Sequence, residues 1–118
     1  MVSGMSRMHH ELSPERWAEF SSAERLANVG AEIGRAISWR RKGKEDIARN
    51  AADRALELFD LTLAVTQSFN RLKEIARLRE VWVDFFYFEN SYQSTAQQWE
   101  RSFYYYNLLA RSKRTTAS

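Results

Sequence analysis

The chain has 118 residues, 44% hydrophobic, 28% charged and 14% aromatic, with one Pro, four Gly and no Cys. That is the composition of one ordinary globular domain, and the missing Cys excludes a thiol nucleophile, a thiolate metal site and a disulfide framework. The formal charge of +3 arises from 18 basic and 15 acidic residues that alternate along the chain, a pattern that argues against nucleic acid as a partner. A domain this small buries roughly two thirds of the surface its unfolded chain exposes. Its sixteen aromatic rings exceed what one thin core hides, which predicts a second buried surface, a homodimer interface or one with another protein.

Residues 1–12 read as a disordered leader. Met1 to His10 carry one basic residue and no apolar run, so neither a secretory signal nor a membrane anchor is expected, and a cytoplasmic location is. His9 and His10 belong to that leader and are not read as metal ligands. Ser13 before Pro14 predicts an N-cap and a short helical turn carrying Trp17 and Phe20. Ser21 and Glu24 have capping-box spacing and open a helix to about Lys42, where Arg40, Arg41 and Lys42 suit the negative end of the helix dipole and Gly43 supplies a left-handed stop. A second helix is expected from Lys44 to Thr66, a break at Gln67 to Asn70, and a third helix from Arg71 to Phe88. Glu89 to Tyr92 then form a loop. Ser94 and Gln97 repeat the capping-box spacing for a fourth helix ending near Arg114, with 115–118 frayed.

Apolar residues return every three or four positions. The stripes are Leu26, Gly30, Ile33 and Ile37; then Ile47, Ala51, Leu58, Leu61 and Val65; then Leu72, Ile75, Leu78, Trp82 and Phe85; and finally Trp99, Phe103, Tyr106 and Ala110. Short connections make consecutive helices double back, so residues 13–114 are expected to be one all-α, up-down-up-down four-helix bundle preceded by a short helical turn. Gly30 and Gly34, one turn apart, call for a close neighbour: a groove for an internal tryptophan, or a helix crossing between subunits. Phe103 to Tyr106 are consecutive and point around most of a helix. Some must leave the core, and Trp99, Tyr104, Tyr105 and Leu108 are the residues predicted to form a homodimer interface.

The helices contain no His, which excludes the Glu-x-x-His pairs of di-iron bundles and a Ser-His-Asp device, and the glycines make no phosphate loop. No catalytic residue, metal ligand or cofactor is therefore predicted. What remains is polar helix faces: Asn28, Glu32 and Arg35; Arg54, Glu57 and Asp60; Lys73, Arg77, Glu80 and Asp84. They are either solvated faces with weak ion pairs or the walls of a polar pocket. On the second reading the candidate binding residues are Asn28, Glu32, Arg35, Arg54, Glu57, Arg77, Glu80 and Asp84. Two basic clusters, Arg40, Arg41, Lys42 and Lys44 against Arg111, Lys113 and Arg114, fall at opposite ends of the expected bundle and make a poor phosphate track.

Glu57-x-x-Asp60 followed by Glu80-x-x-x-Asp84 resembles the carboxylate pattern of the dimeric all-α nucleoside triphosphate pyrophosphatases, which implies magnesium held by paired acids. That family has Glu-x-x-Glu followed by Glu-x-x-Asp, a spacing this chain departs from. Arg49-Asn50 resembles the opening of the HEPN motif, but Ala55 stands where that family has its His, so the resemblance implies a non-catalytic relative. The strings Leu26 to Glu32, Arg54 to Leu58 and Leu72 to Glu80, and Ser94-Thr95 with Trp99, resemble a group of small uncharacterised bacterial and archaeal helical proteins, which implies a recurring core and no particular activity. The expectation from the sequence is a protein-interaction or accessory module. The alternatives are a nucleotide- or nucleic-acid-binding bundle and a magnesium-dependent pyrophosphatase-like enzyme.

Overall fold

The computed structural model describes residues 13–117, of which 112–117 by backbone alone, and its described regular structure is entirely helical. The leader 1–12 with His9 and His10, and Ser118, lie outside the described residues. The helices are α1 (Pro14–Trp17), α2 (Ser22–Arg41), α3 (Glu45–Val65), α4 (Phe69–Tyr87) and α5 (Ala96–Ala117).

The chain's punctuation sets these bounds. Ser13 caps α1 through its hydroxyl, with Pro14 at the first helical position. The Ser21 hydroxyl accepts the Glu24 N–H at 3.0 Å while the Glu24 carboxylate accepts the Ser21 N–H at 2.8 Å, the reciprocal box expected from the spacing. At the far end of α2, Gly43 has φ +78°. Its N–H donates to the Arg40 carbonyl at 3.0 Å and that of Lys44 to the Trp39 carbonyl at 2.9 Å, the paired bonds of a Schellman stop, with the glycine where a Cβ would be strained. Ser68 caps α4.

The last cap differs from the sequence expectation. Thr95 with Gln98, not Ser94 with Gln97, makes the box: the Thr95 N–H donates to Gln98 Oε1 at 2.9 Å and the Gln98 N–H to Thr95 Oγ1 at 3.1 Å. Ser94 is already committed to the loop, its N–H donating to Asn90 Oδ1 at 3.1 Å and its hydroxyl accepting the Trp99 indole N–H at 3.2 Å. α5 also continues to Ala117, past the predicted end at Arg114.

Side-chain pairs fix the topology. Glu32 meets Arg54 and Arg40 meets Glu45, Asp60 meets Arg79 and Asp53 meets Tyr87, Trp82 meets Trp99 while Glu74 lines one depression with Tyr106, and Gly30 meets Phe103 while Arg41 meets Glu100. In each series the number falls on one helix as it rises on the other, so α2, α3, α4 and α5 form an antiparallel ring. The fold is the up-down-up-down bundle. α1 is pinned beneath it: Trp17, 2% exposed, donates its indole N–H to Thr62 Oγ1 at 2.9 Å, and that hydroxyl donates to the Leu58 carbonyl at 2.7 Å.

The ring is not square. α2 approaches α3 and α5 closely along its length, whereas α4 approaches α3 less and α5 hardly at all at backbone level. The core composition explains this. Ala36, Ala48, Ala51, Ala52 and Ala55 are fully buried and let α2 and α3 come together, while Trp82, Phe86, Trp99 and Phe103 fill the wider space towards α4. Ile47, assigned to the inward stripe, is instead 42% exposed, and Phe86 rather than Phe85 is the fully buried ring. The inward face of α3 is the alanine row one residue further on.

The two glycines of α2 have different roles. A Cβ on Gly30 would lie 2.5 Å from Cβ, Cγ and Cδ1 of Phe103, so the groove receives a phenylalanine and not a tryptophan; around Gly34 nothing lies within 4 Å. Gly30→Ala is therefore expected to destabilise by about 2 kcal/mol, because overpacking against the fixed base of Phe103 outweighs the ~1 kcal/mol helix-propensity gain. Gly34→Ala should stabilise by up to about 1 kcal/mol. Urea midpoints of the two variants moving in the same direction would rule this packing out.

Candidate functional site

Only part of the polar set converges. Glu32 on α2 is 7% exposed and is held from two sides, by Arg54 Nε of α3 at 3.2 Å and by Arg35 Nη1 one turn along α2 at 3.0 Å. Glu57 stands one turn beyond Arg54 with carboxylate oxygen Oε1 buried and unpartnered. Asn28 is exposed and spends its amide on the Glu24 carbonyl at 2.8 Å.

The residues of α4 do not join them. Asp84 is consumed by the loop before α5: its Oδ1 accepts the Ser91 N–H at 2.8 Å and its Oδ2 the Tyr92 N–H at 2.9 Å. Two left-handed residues, Asn90 (φ 58°) and Gln93 (φ 57°), make the chain reversal that this carboxylate organises. Arg77 lies over the Tyr92 ring at 5.3 Å. Glu80 is exposed beside a shallow depression of about 430 Å³ that it shares with Asp60 and Arg79, a pair already bonded at 2.8 Å. The single polar pocket anticipated from the three faces is thus replaced by one buried ion cluster between α2 and α3 and a separate surface on α4. The reason is geometric: α2 and α4 are diagonal in the ring, so their polar faces point apart. Among the described residues no group of three His, Asp or Glu is placed to hold a metal ion.

Arg49, the residue of the HEPN-like string, lies over the Tyr87 ring at 5.1 Å, and the Tyr87 hydroxyl donates to Asp53 Oδ1 at 2.6 Å. Burial, and then the Asp53 carboxylate, push the Tyr87 phenol well above the usual tyrosine range. A phenol with a raised folded pKa contributes stability that is full below its unfolded value of about 10 and is lost as pH rises beyond it. Tyr87→Phe should therefore be the less stable protein at neutral pH and lose its deficit as pH rises above about 10. A constant gap in denaturation midpoint across that window would refute the assignment.

The more prominent surface is α5. Trp99, expected at an interface, is 4% exposed, its ring edge-on to Trp82 at 5.5 Å and stacked with Phe103 at 6.0 Å, so it belongs to the monomer core. The other three expected interface residues do face outward: Tyr104, Tyr105 and Leu108 are 61%, 59% and 44% exposed. Leu109, one turn after Tyr105, joins them at 38%; its spacing from Tyr105 was the available signal.

These four residues crown a ridge between two depressions. On one side α2 and α5 leave a groove of about 320 Å³ floored by Gly30, Ala31 and Gly34 and walled by Tyr104 and Asn107. On the other, where α4 and α5 part, a depression of about 480 Å³ is lined by Arg71, Glu74, Tyr105, Tyr106 and Leu109. Burial first, and the nearby Glu74 carboxylate second, raise the Tyr106 phenol, so its hydroxyl is a neutral hydrogen-bonding group. Arg25 on α2 is buried, its Nη1 donating to the Trp17 carbonyl at 3.2 Å. Burial lowers its pKa, and the charge of Arg71 adds to the effect.

Fold and surface together define an all-α bundle with a prominent apolar outer helix and a small buried ion cluster. No helix among the described residues is long and apolar enough to cross a membrane. Comparison with known protein families, curated proteins and solved structures finds no match for this chain.

Proposed function

We propose that the protein is a non-enzymatic helical interaction module that docks a protein partner on the outer face of α5. The observation that supports this reading is the exposure of Tyr104, Tyr105, Leu108 and Leu109 together on the side of α5 opposite its buried residues Trp99, Phe103 and Ala110. Exposed large apolar groups scattered singly are ordinary, but a contiguous set of tyrosines and leucines is characteristic of docking surfaces. Tyrosine suits such a surface because its ring buries area while its hydroxyl finds a partner.

The polar residues supply a scaffold. Arg54 and Arg35 both donate to Glu32, and Asp84 holds the loop that launches α5. The test is recovery of a tagged full-length copy from its own host beside a Tyr104→Ser, Leu108→Glu double variant matched in circular dichroism and melting. A stoichiometric protein, or a second copy, retained by the wild type and lost from the variant is the expected result. Equal recovery with both would overturn the docking role, and turnover of a nucleotide panel dependent on magnesium would replace it with an enzymatic one.

A further inference from the structure

We infer that the partner docked on α5 is a protein segment with acidic groups flanking its apolar anchors, recognised by the guanidinium groups of Arg71 and Arg101. The inference rests on the docking role proposed for this face and specifies the partner's chemistry. Arg101 precedes Tyr104 and Tyr105 by three and four residues, so it stands on the same strip of α5. Arg71, on α4, lines the depression beside that strip together with Tyr105 and Leu109. That sets it level with Leu109, eight residues or about 12 Å of helix rise past Arg101. Both arginines are exposed. The ion pairs among the described residues use Arg35, Arg40, Arg41, Arg54 and Arg79, and neither Arg71 nor Arg101 takes part in them.

The carboxylates nearby do not neutralise these two groups. Glu74 shares the depression with Arg71 without forming an ion pair with it, and Glu100 is bonded to Arg41 at 3.2 Å. Arg25, buried on α2, is a second positive charge close enough to Arg71 to feel it. The face therefore carries a surplus of positive charge at each end of an apolar strip, and its electrostatic complement is apolar in the middle and acidic at both ends. On a helical partner the matching carboxylates stand about two turns apart. A second copy of the chain would bring the same positive surplus to the interface. Nucleic acid fits less well, because two cations about 12 Å apart with Leu108 on the strip between them do not make the continuous basic track that successive phosphates require.

Panning a phage-displayed library of random peptides, about four helical turns long, against the full chain, followed by fluorescence anisotropy of the synthesised hits, tests this. The expected hits place Asp or Glu about two turns apart around large apolar residues. The double variant Arg71→Glu, Arg101→Glu, matched to the wild type in circular dichroism and melting, should bind them about 10-fold or more weakly in Kd. The same peptides made with Lys in place of their acidic residues should bind that variant with near the original Kd. Arg71→Gln and Arg101→Gln, which remove charge without reversing it, should each cost less, and they carry the test where reversal disturbs the fold. Hits without an acidic bias, or hits whose Kd ignores both arginines, overturn the inference. So does a single-stranded RNA oligomer that binds more tightly than the hits and is lost on the same charge reversal. The docking role fails separately: hits that vanish on Tyr104→Ser, Leu108→Glu substitution but ignore the arginines keep that role and end this inference, whereas a panning that enriches nothing ends both.

Discussion

Trp82→Ala is expected to cost about 4 kcal/mol, a large share of the stability of a domain this size. Trp82 is fully buried and joins the halves of the core, stacked on Phe86 at 5.2 Å, tilted against Phe85 at 5.9 Å and edge-on to Trp99 at 5.5 Å. Because backbones do not approach closely between α4 and α5, no main-chain shift short of moving α4 bodily can fill the space an indole leaves. Trp82→Phe should be far milder, at about 1 kcal/mol, because it keeps a ring and removes the buried, unpartnered indole N–H. The two variants compared in chemical denaturation, with near-ultraviolet circular dichroism reporting the ring cluster, give the check. Equal losses for both would show that the indole's volume is not what holds α4 in place.

Charge reversal at Glu32 is expected to be the next most damaging change, at about 3 kcal/mol. Its carboxylate side chain is 9% exposed and faces Arg54, 28% exposed, so Glu32→Lys would leave two cations opposed in a poorly solvated seam between α2 and α3. The Arg35 arm contributes little to this estimate, since that side chain is 55% exposed and screened by water. Glu80→Lys, at an exposed position on α4, should change stability by no more than about 0.5 kcal/mol. Melting curves of the two proteins side by side decide the matter, and comparable losses would place Glu80 in a site that the present geometry does not contain.

The starts and stops of the helices were legible wherever one local bond decides them. Ser21 with Glu24, Pro14, and Gly43 each act within a few residues, and each does what its spacing implies. Ser94 shows the limit: its spacing to Gln97 is right for a box, yet Asn90 and Trp99 claim its polar atoms first, and Trp99 is positioned by the core. The bundle was equally legible, because periodicity and short connections leave consecutive helices little choice but to turn back.

The candidate site was legible residue by residue but not as an assembly. Periodicity shows that Glu32 and Asp84 lie on polar faces; it carries no signal about the rotation of each helix within the ring, which decides that Glu32 meets Arg54 and that Asp84 turns to backbone N–H groups seven and eight residues on. Trp99 illustrates the same gap on the apolar side. Four consecutive aromatics forced some rings outward, and the rotation of α5 against α2 selected Tyr104 and Tyr105 to be exposed and Trp99 and Phe103 to be buried.

The unequal sides of the ring have a consequence for motion. The C-terminal half of α4 is held by rings, by the Tyr87 to Asp53 bond and by Arg40, whose guanidinium lies 3.6 Å above the centre of the Phe86 ring and donates to the Phe86 carbonyl at 3.0 Å. Its first turns are held by the buried Ile75 but by no ring or side-chain bond of that kind: Phe69 is 71% exposed, and Arg71 and Glu74 border the depression against α5. In native-state hydrogen exchange α4 is thus a graded element, its early amides opening through local fluctuations and those near Trp82 only with the whole domain. The protein is expected to behave as a three-helix slab of α2, α3 and α5 with a fourth helix fastened more firmly along its C-terminal half, and the side expected to loosen first is the one flanking the tyrosine ridge.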